Sequence, residues 1–405
     1  MKSENTVNNR KIFSIAETSD IMSGRTADVY FRNALRTLEE SGFDGSVTME
    51  ITVSGSVYPW ILISGIQEVI NLLEGRNVDV EAVPEGTILE ARDTMGVPVP
   101  VMTVTGRYRD FAVFETAILG FICQSTGIST YSSMVRVASG DLPFFSFGIR
   151  RMHPAISPMI DRATYIGGAD GVSGIMGAEI IGTEPVGTMP HAVSIILGDD
   201  RAWSIGLSGS RHPKVALIDT FEDEKFAAVH AARAVSDLDY VRLDTPSSRR
   251  GDFSNIVREV RWELDVNGFR NVKIMVSGGL DHNTVFKLRK AGATAFGVGT
   301  SIASAKPVDF AMDIVEIGDR MLSKRGKFSG RKRLYRCPKC RNLYVVIQGE
   351  SPHRCSCGSD LECLSTLMLE GGRTVGEYPD ARQIRDRSLA EIRARPQRLR
   401  LEQES

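Results

Sequence analysis

The feature that most constrains the fold of this chain is a pair of adjacent strand, glycine-turn and helix units within residues 271–301. In the first unit an apolar run stops at a Ser-Gly-Gly triplet, and the next segment begins at Asp281 with its apolar residues on one helical face. In the second unit residues 295–298 run into a Gly-Thr-Ser turn. Two successive turns with bare backbone N–H groups, each at the positive end of a helix dipole, form a site for one phosphate group. The residues predicted to hold this phosphate are Ser277, Gly278, Gly279, Gly299 and Thr300.

The repetition of this unit also indicates the fold class. One glycine-rich turn is equally well explained by chain reversal alone, whereas a second turn in the next unit favours a phosphate site. Strand and helix alternate from about residue 131, with helices predicted at residues 223–234 and 253–266. In α/β barrels the last two strand-to-helix turns commonly hold a phosphate, so we predict an irregular α/β barrel. Its six strands are predicted at residues 144–147, 186–189, 215–219, 240–244, 274–277 and 295–298.

The rest of the chain predicts two further parts. Residues 1–125 are expected to form an N-terminal α+β domain, and residues 126–322 the barrel with the phosphate site. Residues 323–405 are expected to form a basic linker, a small zinc-ribbon-like module and a polar tail. Residues 111–126 are too apolar on every face for a surface helix, which predicts burial between the first two domains. Within the first domain the predicted elements are helices at 26–38 and 66–73, strands at 47–53 and 78–83, and a hairpin tip at Met95 and Gly96.

Composition excludes several classes of protein. The formal net charge of −1 over 405 residues provides no global attraction to nucleic acid or to an anionic membrane. No uninterrupted apolar run approaches the ~18 residues of a membrane span, and the first residues are polar, so we expect a cytoplasmic location and no membrane partner. Residues 324–341 carry nine lysines and arginines. We favour a solvated linker over a nucleic-acid patch there, because the remaining charge offers no support for binding nucleic acid.

Side chains at the predicted strand ends suggest a pocket for an anionic small molecule, because working residues of a barrel lie at the carboxyl ends of its strands. An aromatic ring, several guanidinium groups, hydroxyls and an imidazole follow four strands, and arginine forks match carboxylate and phosphate oxygens. Each group also has a structural alternative: a histidine can be a satisfied core residue, an arginine a solvated one, and an aspartate a helix cap. The strand-end residues are Phe147, Arg150, Arg151, His153, Thr188, His191, Arg242, Asp244, Arg249 and Arg250.

Five of the six cysteines lie within residues 337–363, and the sixth, Cys123, stands alone in an apolar segment. The pairs Cys337 with Cys340 and Cys355 with Cys357 supply four thiolates, the number that a tetrahedral zinc ion needs. The second pair is Cys-x-Cys rather than Cys-x-x-Cys, so His353 or Cys363 stays possible as a substitute ligand. Four cysteine ligands leave no open position, which predicts a structural zinc.

Between Thr26 and the tail the chain contains, in this order, TADVYF, PEGTIL, ETAILGFICQSTGIST, FGIRRMHP, GTMPHA, VRLDTPSSRRG, SGGLD and FGVGTS. In this combination it resembles the nicotinate phosphoribosyltransferases of archaeal type, which carry a cysteine-rich C-terminal module. The resemblance implies an irregular α/β barrel with an N-terminal α+β domain. It also implies that nicotinate and phosphoribosyl pyrophosphate (PRPP) are joined to give nicotinate mononucleotide and pyrophosphate in NAD biosynthesis, with ATP as co-substrate and Mg²⁺ bound with PRPP and ATP.

The same resemblance assigns roles in nicotinate binding. Phe147 would stack on one face of the pyridine ring. Tyr30 would stack on the other face from a neighbouring subunit, which implies a homo-oligomer with its active site at a subunit interface. Arg242 would face the carboxylate, with Thr188 close to it. The glycine turns would hold the 5-phosphate, in agreement with the interpretation from the residues alone.

Roles in the reaction are implied for four residues. His191 matches the histidine that the family phosphorylates, while Arg242 and Arg150 would serve the transfer of the phosphoribosyl group. Asp244 would contact the metal and the pyrophosphate. Its motif DTPSSRRG departs from the shorter acidic Asp-Ser-Gly-Asp of bacterial and animal members, so the match is weaker at this residue than at the other three.

Two other functions fit parts of the sequence. Quinolinate phosphoribosyltransferase resembles the same barrel but would need further cations for a second carboxylate. A barrel-derived protein that binds nucleic acid through the zinc module and the basic linker would show steep salt dependence. The strand-end residues argue against this second alternative, because a nucleic-acid binder does not need them.

Overall fold

The computed structural model describes residues 13–209 and 213–394. Their helices are α1 (Thr18–Met22), α2 (Val29–Ser41), α3 (Ile66–Leu73), α4 (Tyr108–Phe111), α5 (Glu115–Ser139), α6 (Ser157–Ile166), α7 (Ile175–Ile181), α8 (His191–Leu197), α9 (Asp199–Gly206), α10 (Glu224–Ala234), α11 (Phe253–Val266), α12 (His282–Ala291), α13 (Thr300–Ala303) and α14 (Ala381–Arg393). Short 3₁₀ turns lie at Ala112–Phe114, Ile149–Arg151 and Pro154–Ile156.

The strands of the same residues are β1 (Ser46–Gly55), β2 (Ile61–Leu62), β3 (Val78–Ala82), β4 (Ile88–Leu89), β5 (Pro100–Arg107), β6 (Phe144–Ser146), β7 (Gly171–Val172), β8 (Val215–Leu217), β9 (Tyr240–Leu243), β10 (Lys273–Ser277), β11 (Ala295–Val298), β12 (Asp309–Ile317), β13 (Arg320–Met321), β14 (Lys332–Arg336), β15 (Leu343–Ile347), β16 (Glu362–Cys363), β17 (Thr366–Glu370) and β18 (Arg373–Thr374). They form one parallel sheet and three antiparallel sheets.

The larger antiparallel sheet has seven strands in the order β13-β12-β1-β5-β3-β17-β18. Strand β1 pairs with β5 on one side and with β12 on the other, so this sheet combines strands from distant parts of the chain. Helix α3 has the predicted bounds and packs Ile66, Val69, Ile70 and Leu73 into the core of this sheet. That spacing places the four side chains on one helical face. The domain boundaries stay a prediction.

Helix α5 runs through the centre of the molecule, as its apolar sequence predicts. Its first half contributes Ile118 and Ile122 to the core of the seven-stranded sheet, and its second half contributes Ile128 and Val135 to the core of the parallel sheet. The helical stretch Tyr108–Ser139 is long and apolar enough to cross a membrane by composition, and half of its most apolar window is buried inside the protein. This burial explains the apolar composition, because a helix packed on all sides needs no polar face.

The parallel sheet has six strands in the order β7-β6-β11-β10-β9-β8. A parallel sheet with helical crossovers is confirmed, but closure into a barrel is not, because the end strands β7 and β8 are not paired with each other among the described residues. The predicted strand at residues 186–189 is wrong. The backbone N–H of Val186 donates to the carbonyl of Val172 at 2.8 Å, yet no ladder follows between the flanking Pro185 and Pro190. Strand β7, in the glycine-rich stretch of residues 163–181, is the sixth strand instead.

The C-terminal region folds onto the seven-stranded sheet. Strands β15, β14 and β16 form a three-stranded sheet, and Leu334, Leu343 and Leu364 belong to the same apolar core as β1 and β5. The two regions are also joined by polar contacts: the backbone N–H of Val345 donates to the Asp93 carboxylate at 2.9 Å. The cysteine-rich region is therefore part of one continuous core.

The prediction of a solvated basic linker is wrong, because its cations pair with acids of the protein. Lys324 and Lys327 pair with Asp313 of β12, and Lys332, whose side chain is almost fully buried, lies 3.0 Å from the carboxylate of Glu50. Glu50 and Asp313 are direct cross-strand partners in β1 and β12. Two like charges on opposite positions repel each other, so the lysines that cover them stabilise the sheet.

Helix α14 connects the cysteine-rich region to the parallel sheet. Its Glu391 accepts hydrogen bonds from Arg336, at 2.8 Å, and from Arg341. One to two turns earlier, Arg385 donates to the carbonyl of Ala169 at 2.7 Å and pairs with Asp170, just before β7. The capping box at its N-terminus supports the helix, since the Asp380 side chain accepts the N–H of the third helical residue.

Candidate functional site

Arg242 stands at the centre of the polar residues that follow the parallel strands. Its side chain is only 12% exposed, and its guanidinium donates to Ser277 Oγ at 2.9 Å and to the hydroxyl of Thr188. The Nη2 atom also lies 3.1 Å from a carboxylate oxygen of Asp244. Strands β9 and β10 are neighbours in register, which brings their carboxyl ends together. Three of the five guanidinium N–H groups are thus committed, and two remain for a ligand.

Asp244 and the first glycine turn are packed directly against each other. Ser277 Oγ donates to the Asp244 carboxylate at 2.7 Å. Gly278 has φ of +89°, and a Cβ atom at that position would lie 3.0 Å from the same carboxylate. A side chain at Gly278 is therefore excluded both by the left-handed backbone and by the close approach of Asp244.

The two glycine turns lie next to each other, as predicted. The Ser301 hydroxyl donates to the carbonyl of Leu280 at 2.6 Å, which joins the turn after β11 to the turn after β10. Within the described residues, the backbone N–H groups of Gly279 and Thr300 have no hydrogen-bond partner. The N-terminus of α12 itself is capped by Asp281, whose carboxylate accepts the Thr284 N–H at 2.7 Å. The unpaired N–H groups of the two turns therefore offer a site for an anion, whereas the capped N-terminus of α12 does not.

Phe147 lies where β6 ends, with its ring over β11. A Cβ atom at Gly297 would come within 2.5 Å of this ring, so the glycine makes room for it. The guanidinium carbon of Arg242 is 5.7 Å from the ring centroid, and the ring of Phe145 stacks at 6.5 Å. The aromatic ring and the central cation are therefore neighbours, in the arrangement of a cation–π pair.

His191 is the first residue of α8 and faces the same cluster. Its Nδ1 lies 3.2 Å from the Thr220 hydroxyl, and its Nε2 lies 3.7 Å from Asp244. The ring is 38% exposed, so a solvent-borne group can reach it.

Asp219 is a site residue that the sequence analysis missed. It follows β8, and its carboxylate accepts the backbone N–H of Asp244 at 3.2 Å. Its other oxygen is buried and has no partner among the described residues. Burial raises the pKa of Asp219, and the Asp244 carboxylate raises it further, while His191 opposes the shift. An aspartate in the same position after the neighbouring strand, Asp244, is the signal that could have pointed to it.

The other arginines of the site differ in their surroundings. Arg250 donates to the carbonyls of Thr245, at 2.9 Å, and Gly278, at 3.1 Å, so it links the loop after β9 to the first glycine turn. Arg249, Arg150 and Arg151 are exposed at the same end of the sheet, and His153 accepts the N–H of Ala155 within its own 3₁₀ turn. Exposed guanidinium groups of this kind are available to an anionic ligand.

Tyr30 does not join these residues within one chain. It is 56% exposed at the start of α2, and its ring lies 4.2 Å from that of Phe31. Burial and the nearby carboxylates of Glu115 and Asp28 raise its pKa. All of these neighbours belong to the N-terminal part of the chain, so the structure leaves its role in the site as a prediction.

The four predicted metal ligands do come together. The sulfur atoms of Cys337, Cys340, Cys355 and Cys357 lie within 4.8 Å of one another, which suits a tetrahedral metal ion such as zinc. Cys363 lies outside this group: its thiol contacts the carbonyl of Ser365. The cluster therefore has the four-thiolate composition that the sequence predicts.

The parallel sheet, the unpaired turn N–H groups and the central arginine are features of an α/β protein with a site suited to a phosphorylated, anionic small molecule. Family models for the N-terminal and C-terminal domains of quinolinate phosphoribosyl transferase match residues 28–126 and 128–313. The chain therefore belongs to the quinolinate and nicotinate phosphoribosyltransferase family. A crystal structure of nicotinate-nucleotide pyrophosphorylase from Pyrococcus furiosus is 46% identical, with a TM-score of 0.90, and the match covers 95% of this chain and 98% of that one.

Curated relatives confirm the resemblance to nicotinate phosphoribosyltransferases. The Mycobacterium tuberculosis nicotinate phosphoribosyltransferase pncB2 is 26% identical over 343 residues, which cover 80% of this chain and 70% of the relative. Its paralogue pncB1 is 26% identical over 253 residues, or 58% of this chain, and that match spans only 55% of the relative's length. The human nicotinic acid phosphoribosyltransferase has the same fold, with a TM-score of 0.71 at 15% identity over 92% of this chain and 95% of that chain.

Proposed function

We propose that the chain joins nicotinate to PRPP and releases nicotinate mononucleotide and pyrophosphate, in NAD biosynthesis. The observation that carries this proposal is the position of Arg242, which stands between the ring of Phe147 and the glycine turns. A pyridine carboxylate needs a ring to stack on and a cation for its charge. Both lie beside backbone N–H groups suited to a phosphate.

In this proposal Arg242 and Phe147 orient nicotinate. The two free N–H groups of the guanidinium donate to one carboxylate, and the stacked ring directs the pyridine nitrogen toward the anomeric carbon of the ribose. Thr188 holds the guanidinium from the other side. Orienting the nucleophile in this way lowers the barrier, because the entropy of alignment is lost on binding rather than in the transition state.

PRPP would bind across the two glycine turns. Gly278, Gly279, Gly299 and Thr300 would hold the 5-phosphate through backbone N–H groups, and the exposed Arg150 would face the departing pyrophosphate. Mg²⁺ fits two carboxylates at adjacent strand ends, since Asp219 has a buried oxygen without a partner and Asp244 lies beside it. The ion would neutralise charge on the pyrophosphate as it leaves.

We assign ATP coupling to His191. Its imidazole is half exposed and lies near Asp244, so it can accept a phosphoryl group while a carboxylate and the Thr220 hydroxyl orient the ring. Transfer of the ribosyl group itself needs no histidine nucleophile. His191→Asn should therefore keep a basal activity and lose stimulation by ATP, and undiminished stimulation would contradict this assignment.

We further propose a cytoplasmic homo-oligomer with a structural zinc ion. The four cysteines would hold zinc with no open coordination position, so its effect is on folding. Tyr30 is exposed and its neighbours lie in the N-terminal part of the chain, as expected of a residue that contacts a neighbouring subunit. Binding of nucleic acid is not favoured, because the basic segment is paired with acids of the protein.

Quinolinate is the second candidate substrate. Both matching family models describe quinolinate phosphoribosyl transferase. Its second carboxylate would need another cation near Arg242, and the exposed Arg150 and Arg151 at the end of β6 are available. Nicotinate is favoured because, among the described residues, Arg242 is the cation that forms a cation–π contact with the Phe147 ring, and one cation suits one carboxylate.

A product assay decides between these substrates. The purified protein is incubated with PRPP and Mg²⁺ and with nicotinate, nicotinamide or quinolinate, each with and without ATP, and nucleotide formation is followed by chromatography. We expect nicotinate mononucleotide from nicotinate, at a higher rate with ATP. Product from quinolinate alone would replace the first proposal by the second, and no product from any base would refute both.

A further inference from the structure

Helix α5 contacts the element that follows the first glycine turn through the side chain of Tyr131. Its hydroxyl lies 3.2 Å from Nδ1 of His282, the first residue of α12, and the two rings are nearly perpendicular at 5.5 Å. His282 comes shortly after the turn that contains Gly278 and Gly279. Tyr131 is therefore fixed to the turn after β10.

The turn after β10 is joined directly to the turn after β11. The Ser301 hydroxyl donates to the carbonyl of Leu280, two residues before His282, at 2.6 Å. Tyr131 thus holds the turn to which the second turn is bonded, and it belongs to a helix that packs against α12 and α13.

The protonation states of Tyr131 and His282 are compatible with a hydrogen bond between them at neutral pH. Burial and the charge of Asp281 raise the pKa of Tyr131, although its hydrogen bonds act in the opposite direction, so the phenol keeps its proton at neutral pH. Burial lowers the pKa of His282, so the imidazole is neutral. In either tautomer of that ring, the contact needs the phenol hydroxyl, as donor or as acceptor.

We propose that Tyr131 is a positioning residue that fixes the spacing between the two phosphate-binding turns. A phosphate bound by N–H groups of both turns requires the turns to keep a set distance, and hydrogen bonds lose strength steeply when the donor is displaced. Tyr131 acts through His282 and does not touch the ligand. This inference rests on the proposed function, because it assumes that the turns hold the 5-phosphate.

The test is equilibrium binding of ribose 5-phosphate to the full chain by calorimetry, for wild type and Tyr131→Phe. Loss of the hydrogen bond to His282 should raise the dissociation constant roughly 3- to 10-fold. The KM for PRPP should rise by a similar factor, with kcat and the KM for nicotinate unchanged. A variant that is only partly folded would instead show a lower kcat at an unchanged KM.

Tyr58→Phe is the matched control. The ring of Tyr58 lies 6.4 Å from that of Tyr131, but its hydroxyl donates to the carbonyl of Lys306 at 2.7 Å and not to either turn. We expect it to bind ribose 5-phosphate as the wild type does. His282→Asn keeps a polar atom near the position of Nδ1, whereas His282→Ala does not. The asparagine variant should bind ribose 5-phosphate more tightly than the alanine variant, since only the asparagine side chain can form a hydrogen bond with the Tyr131 hydroxyl.

The outcomes separate this inference from the proposed function. If the wild type does not bind ribose 5-phosphate, the phosphate site is wrong, and the role of Tyr131 is wrong with it. If wild type and Tyr131→Phe bind with equal dissociation constants while both are folded, the site stands and the positioning role is refuted. If Tyr58→Phe weakens the binding of ribose 5-phosphate as much as Tyr131→Phe does, the positioning role of Tyr131 is also refuted. Loss of either of the two neighbouring tyrosine hydroxyls would then have the same effect.

Discussion

Replacement of Arg242 tests how the carboxylate of nicotinate is recognised. In the structure the guanidinium has three N–H groups bound to Ser277, Thr188 and Asp244, which leaves two for the substrate. A hydrogen bond to a charged partner contributes about 1.5–3 kcal/mol. Loss of the carboxylate contact should therefore weaken nicotinate by roughly ten- to hundred-fold, whereas nicotinamide carries no such charge and should change little.

Arg242→Ala has a second effect, because it leaves Asp244 without its cation. The Asp244 side chain is 18% exposed, so some loss of stability is expected. Arg242→Lys separates the two effects: lysine keeps a positive charge near Asp244 but cannot form the two-pronged contact of a guanidinium. It should retain most of the stability and still lose selectivity. Arg261→Ala is a control, since Arg261 pairs with Asp265 on α11, away from the site.

The assay is kcat/KM for nicotinate and nicotinamide in each variant, with thermal unfolding to confirm that the variants are folded. Phe147→Ala removes stacking that is common to both substrates, so it should lower both values by a similar factor. An unchanged ratio of nicotinate to nicotinamide in folded Arg242→Ala would refute the reasoning. The carboxylate would then be read by Thr188 or by backbone N–H groups.

Three further predictions concern packing, charge and metal. Gly297→Ala would place a Cβ 2.5 Å from the Phe147 ring, so it should lower the free energy of unfolding, measured by heat or urea, by about 1–3 kcal/mol and raise the KM for nicotinate. Gly120→Ala, at an open helical position, should neither destabilise the protein nor raise this KM. Burial raises the pKa of Glu68 to about 7, so the stability that its protonated form contributes below about pH 4.5 is lost as the pH rises through 7. Glu68→Gln should therefore stabilise the fold by roughly 1–3 kcal/mol at pH 8 and have little effect at pH 4. An equal gain in stability at both pH values would show that the raised pKa of Glu68 is not its cause. Metal analysis should find about one zinc per chain, and Cys355→Ser should lower that content, because the sulfur is one of four ligands; full zinc content in this variant would indicate another ligand.

Elements with a strong local pattern could be predicted from the sequence. Helices α3 and α11 have the predicted bounds because each has a clear apolar face, with buried residues three or four positions apart. The adjacent glycine turns could also be predicted, since neighbouring units of a parallel sheet place their turns side by side. These features depend on residues that are close in sequence.

Features set by distant residues could not be predicted in this way. The segment with Lys332 looked solvated because its partner Glu50 lies far away in the chain, and only the sheet brings them together. Strand β7 was hidden because two residues, one of them glycine, carry no periodic signal. The predicted strand at residues 186–189 failed because its proline-flanked backbone follows β7 for only one hydrogen bond.

The composition of the seven-stranded sheet affects how this protein can fold while it is being made. The Ser54 hydroxyl on β1 donates to the carbonyl of Asp309, 255 residues later. At a synthesis rate of about 5–20 residues per second, β1 waits on the order of 10–50 s for this neighbour. The strands of the parallel sheet, in contrast, all lie between β6 and β11 and emerge without interruption. The region translated first is thus completed last, and its open strand edges are exposed to other nascent chains and chaperones during that interval.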